Sequence, residues 1–280
     1  MVGTGSIIAM CITLMIALIL PVAILIVYAL KNKGQGVVAA WFLGAAGFFV
    51  MQIIIRTPIL SVLGMNKAFN DFAADNYLVY VVILAFTAGL FEVVGRYAVA
   101  KLLKNKLSCN TGIAAGLGHG GIEAMVLVGM TYINNILYAF MINSGLMDAV
   151  IEQSAVMGTD TVQQLNTVAD ALVETPSYLF ALAGYERLLT MICQVAMTLI
   201  VFHYVSKKQD VKGIGLCLVF HTLLDVVSGL LSGLATPYLG SVISTNVSYA
   251  LVYVFLTAAA VVSCIVICKV KKAWKTDGNS

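Results

Sequence analysis

Polar and charged residues are confined to short intervals of this chain, and what lies between them is apolar over roughly the ~20 residues a helix needs to cross a bilayer. Seven such runs stand out, at about 6–30, 37–55, 78–103, 112–141, 178–205, 213–234 and 243–268. They predict an all-α fold, a polytopic transmembrane bundle of about seven spans forming one integral membrane domain over residues 1–280. Pro21 falls inside the first run and predicts a kink there, which membrane helices tolerate. That run has no basic segment before it and no small-residue cleavage pattern, so it reads as a span, not a leader. The connector 142–177 carries only acidic charges: Asp148, Glu152, Asp160, Asp170 and Glu174. Within it, Val162 to Leu172 places Leu165, Val168, Ala169 and Leu172 on one face, predicting an amphipathic helix on the outer surface.

Composition agrees with the pattern: 61% of the 280 residues are hydrophobic, 10% are charged, and the mean hydropathy is +0.98. A soluble domain is excluded on that balance, and the expected location is the cell membrane, multi-pass, with the lipid bilayer as partner. The six cysteines lie in or beside apolar runs without a CxxC pair, which reads as packing and not as a disulfide or zinc framework.

Charge then sets the orientation. Lys31 and Lys33, Lys101, Lys104 and Lys106, Lys207, Lys208 and Lys212, and Lys269, Lys271, Lys272 and Lys275 follow spans one, three, five and seven. Arg56 and Lys67 fall on the opposite side with seven acidic residues. The positive-inside rule puts the N-terminus outside and the C-terminus in the cytoplasm. Topology thus accounts for the net charge of +3, and no nucleic-acid partner is expected.

Ionisable residues within spans are costly and mark function. Three runs each hold a polar pair four residues apart, on one helix face: Glu92 with Arg96, His119 with Glu123, and His221 with Asp225. At a rise of about 1.5 Å per residue, all six lie some 10–18 Å from the cytoplasmic span ends, which predicts one shared, water-reachable pocket. Gly112, Gly116 and Gly120 recur every four residues around His119, a small-residue stripe that admits another helix backbone. Arg96 has three expected uses: pairing with Glu92, pairing with Glu123, or reaching for the headgroups. Glu186 either lines the pocket or pairs with a neighbouring helix, and it points away from the adjacent Arg187. His203, beside Lys207, reads as interfacial. Gln194 can hydrogen-bond across helices without being diagnostic.

Two histidines with carboxylates suit two chemistries. A carboxylate base can take a proton from water that histidines orient. Alternatively His119, His221 and a carboxylate, Glu123 in this assignment, form a zinc site with a position left for water. There is no H-E-x-x-H, so the zincin arrangement is excluded. A transporter or a proton- or cation-relay protein would use the same cluster, though no internal repeat supports one. A structural or immunity-type membrane protein is the third class.

The set Phe91-Glu92-Val93-Val94-Gly95-Arg96, Gly118-His119-Gly120-Gly121-Ile122-Glu123 and His221-Thr222-Leu223-Leu224-Asp225 resembles the YhfC-type intramembrane metalloproteases. More distantly it is similar to the CAAX prenyl endopeptidase and bacteriocin-immunity superfamily. The resemblance implies an intramembrane endopeptidase, glutamate- or zinc-dependent, acting on a membrane-embedded or membrane-proximal peptide. It implies Glu92 as the water-activating base, with His119, His221 and Asp225 completing the site; from their own positions Arg96, Glu123 and Glu186 are expected to support it.

Overall fold

The computed structural model describes residues 1–276, all of its regular elements helical; the last four residues of the expected domain, 277–280, lie outside them. Seven helices are long and apolar enough to span a membrane: α1 (Thr4–Lys31), α2 (Val37–Gly64), α4 (Tyr77–Leu102), α5 (Cys109–Ser144), α8 (Ser177–Ser206), α9 (Asp210–Gly233) and α10 (Thr245–Thr276). The connectors hold α3 (Lys67–Asp75), α6 (Leu146–Ser154) and α7 (Thr159–Glu174). The spanning helices expose apolar residues such as Ile12, Ile19, Ile26, Val254 and Ile265. So much exposed apolar surface is stable only against lipid tails.

Local chemistry explains the breaks. Gly34 and Gly36 turn the chain between α1 and α2 with φ of 79° and 74°, where a side chain would be strained. Asn66 caps α3, its side chain accepting from the backbone N–H of Ala68 at 2.9 Å. Pro21 and Pro58 are absorbed within helices instead of ending them. A proline removes one backbone donor and crowds the carbonyl four residues back. In α1 the turn Met15–Ile19 widens to a π-helix just before Pro21, and in α2 the segment Phe49–Arg56 does so before Pro58. This second case corrects the sequence reading. The helix does not stop at 55 but runs to Gly64, so Arg56 sits within a span and not beyond it.

By internal packing the chain forms two compact units, residues 1–22 with 124–188 and residues 23–123 with 189–276. The first has a core of Val2, Met10, Tyr132, Ala139, Leu172 and Phe180. The Phe180 carbonyl accepts from Thr13 Oγ1 at 2.7 Å and Tyr132 OH at 2.9 Å, and the Asn143 amide ties down the Val2 backbone. The expected surface helix of the acidic connector is present as α7, with a different role. Its apolar face completes this core, with Leu172 buried and Val168 packed against it, instead of lying bare on a membrane. Glu186 belongs to this unit and pairs with its neighbour Arg187, contrary to the expectation that the two diverge.

The second unit is organised on α8, where Ala196, Met197, Leu199, Val201 and Phe202 are all 0% exposed. Helix α5 packs on α8 through the predicted stripe: a Cβ at Gly116 would lie 2.6 Å from the Val195 Cα, and one at Gly112 would lie 2.9 Å from Leu199. Its other side meets α2 reciprocally. A Cβ at Gly118 would sit 1.9 Å from the Trp41 carbonyl oxygen, and one at Gly44 2.0 Å from that of Ala115. The two backbones touch, so only glycine is tolerated there. His203 is buried, its ring 5.2 Å from that of Trp274 of α10.

Candidate functional site

The second unit gathers its intramembrane polar groups around one carboxylate. Glu92 of α4 is 4% exposed. Its Oε2 lies 3.0 Å from His119 Nε2 of α5, 2.8 Å from His221 Nε2 of α9 and 3.0 Å from Arg96 Nη2. Glycine again sets the spacing. At Gly89, one turn before Glu92, an added Cβ would come within 3.3 Å of the His221 Cβ. A carboxylate oxygen offers only lone pairs, so His221 Nε2 facing it donates, whereas His119 Nε2 also lies 3.1 Å from Arg96 Nη2, itself only a donor, and its role follows its tautomer. Removing a carboxylate from water is costly, and three donors with one cation compensate here. Of the uses open to Arg96, the structure shows the pairing with Glu92; the guanidinium does not reach outward, being 2% exposed.

Residues that drew little notice in the sequence complete the cluster. Gln52 Nε2, from the π segment of α2, donates to Glu92 Oε1 at 2.9 Å, so both carboxylate oxygens are held. Gln194 of α8 accepts from Arg96 Nη2 and donates to Glu123 Oε2 at 2.5 Å and, at a longer 3.4 Å, to Glu92 Oε2. Glu123 therefore joins through Gln194. Arg56 donates to Gln52 Oε1 at 3.3 Å and to the Leu84 carbonyl at 2.9 Å, adding a cation one residue away from Glu92. Asp225 Oδ2 stands 3.3 Å from His221 Nδ1, an ion-pair distance, although the nitrogen finds no aligned hydrogen bond.

Glu92, Arg96, His119, Glu123, His221 and Asp225, all named from sequence, thus belong to one network. Glu186 falls in the first unit. Glu92, His119 and His221 are each no more than 4% exposed, so the cluster is enclosed; Asp225 at its edge has a side chain that is 37% exposed. Arg96 Nη1 and His221 Nδ1 are buried without hydrogen-bond partners, a rare and costly state that is often explained by an unseen water or ion. Among the described residues no group of three or more His, Cys, Asp or Glu is arrayed as a metal shell; Glu92 contacts each of the two imidazoles directly.

Seven apolar helices among the described residues, with a Glu–His–His cluster buried in the second unit, define a multi-pass membrane protein with an ionisable centre. The family profile described as YhfC intramembrane metalloprotease matches residues 16–245, and the chain belongs to that family. It is 32% identical over 211 residues to an uncharacterized membrane protein, YhfC, of Bacillus subtilis (strain 168), covering 75% of this chain and 79% of the relative. No solved structure matches it.

Proposed function

We propose that this protein is an intramembrane endopeptidase in which Glu92 takes a proton from water while His119 and His221 orient that water and stabilise the developing oxyanion. One observation carries the reading: a single carboxylate oxygen receives imidazole nitrogens from two other helices at 3.0 and 2.8 Å inside an apolar bundle. A purely structural carboxylate is satisfied by Arg96 and Gln52 without recruiting two costly histidines. Gln52 and Gln194 hold the carboxylate's rotamer, and Asp225 orients the His221 ring. The positive-inside lysines support a centre in the cytoplasmic half of the bilayer.

The donors also fit zinc. Each imidazole Nε2, at 3.0 and 2.8 Å from Glu92 Oε2, needs to part from that oxygen by only a few tenths of an ångström to reach the roughly 3.3 Å edge that Zn–N and Zn–O bonds of about 2.0–2.1 Å imply. The ligands would be His119, His221 and Glu92, and Glu123 is linked to Glu92 through Gln194. A bound zinc would polarise a carbonyl and make its water acidic.

The test is membrane N-terminal proteomics on cells expressing wild type or Glu92→Gln at matched levels. New N-termini in or beside membrane spans of other proteins are expected with wild type and absent with the variant. Identical sets of N-termini from both would overturn the assignment.

A further inference from the structure

The lysine-bearing ends of α4, α8 and α9 meet at a second feature, an open pocket of about 680 Å³ lined by Lys101, Lys208, Gln209, Asp210, Val211 and Lys212. Its one acid is already engaged, since Asp210 pairs with Lys101 and accepts from Tyr97 OH at 2.9 Å. Three lysines against one aspartate leave two positive charges. Lys212 is steered by the Tyr204 ring, 4.9 Å from its ammonium. Lys208 occupies an unusual backbone position. Helix α8 closes with the N–H of Gln209 bonded to the Tyr204 carbonyl at 2.8 Å, which puts Lys208 in the left-handed region at φ 58°. Glycine normally fills that place at a helix end because other residues are strained there. A lysine held there points to use of its side chain.

The pocket is also apolar on one side. Val211 is 85% exposed beside the lysines, and Leu216, Val219 and Leu223 continue down the outer face of α9, each about half-exposed. An ammonium pair above a strip of exposed aliphatic side chains matches one molecule of the bilayer, a phospholipid with an anionic headgroup. A soluble anion would use the lysines and ignore the strip. We propose that this pocket is a binding site for an anionic phospholipid, with the phosphate at Lys208 and Lys212 and the acyl chains along α9.

The probes are dioleoylphosphatidylglycerol, dioleoylphosphatidylcholine and inorganic phosphate, titrated against the purified full chain in detergent and read by native mass spectrometry. Phosphatidylglycerol should be retained in preference to phosphatidylcholine, and Lys208→Ala with Lys212→Ala should weaken it by about fivefold per lysine removed. Lys208→Arg with Lys212→Arg should keep it. Lys31→Ala with Lys33→Ala removes the same charge after α1 and should leave retention unchanged. Equal weakening by that control would make the effect bulk charge and sink the site. Equal retention of both lipids would also overturn it, as would displacement of phosphatidylglycerol by millimolar phosphate, which would make the occupant a free anion.

Discussion

Glu92 carries the largest share of the cluster's energetics, because it is an ionised group made tolerable only by its neighbours. Arg96→Leu removes the cation 3.0 Å away and strands the carboxylate, which should cost about 3–5 kcal/mol. Adding Glu92→Gln removes the stranded charge, so the double variant should recover part of that loss; unfolding of the purified proteins in detergent measures it, and additive losses would contradict the pairing. If zinc is held as proposed, metal analysis of the wild type should give near-stoichiometric zinc, with His119→Ala and His221→Ala each losing most of it and Glu123→Gln little. Equal loss in Glu123→Gln would restore Glu123 as the ligand. The charged members of this network were legible because a charge within an apolar run is conspicuous. Gln52 and Gln194 were not, since a neutral amide barely disturbs hydropathy and its partners depend on helix rotation. Arg56 was assigned outside the membrane because Arg56-Thr57-Pro58 has the composition of a span end.

At the level of elements, glycine decides which helices touch. The stripe 112–116–120 was read as a packing surface, and it is one, against α8. The partner of Gly118 was not readable, because α5 turns a second bare face toward α2 and sequence does not say which helix lies there. Gly118→Val drives a side chain into the Trp41 backbone and should cost about 1–3 kcal/mol or more, lowering the detergent melting temperature. Gly215→Val, where nothing lies within 4 Å of an added Cβ, is the matched control and should change little. Equal effects would refute the close approach. The π segments before Pro21 and Pro58 illustrate another limit of sequence: proline signals a disturbance without saying whether the helix ends or widens.

For the whole molecule, seven spans and their order were legible because bilayer thickness fixes the length of each apolar run. The division into two units was not, since it depends on which helices share side chains. The proposed orientation predicts that a single cysteine placed in 142–177, in a variant lacking its other cysteines, reacts with impermeant reagents from outside intact cells, whereas one at Lys271 does not. The reverse labelling would move the centre to the other half of the bilayer. The claim that Glu92, His119 and His221 act as one catalytic unit is tested most directly by cleavage kinetics, using as reporter the best-processed membrane segment found by N-terminal proteomics. Groups that act together lose activity non-additively. Glu92→Gln, His119→Ala, His221→Ala and the triple variant should all fall to about the same residual rate, at least roughly 10²-fold below wild type. Losses that multiply across the three, or any single variant that retains wild-type turnover, would contradict a shared site.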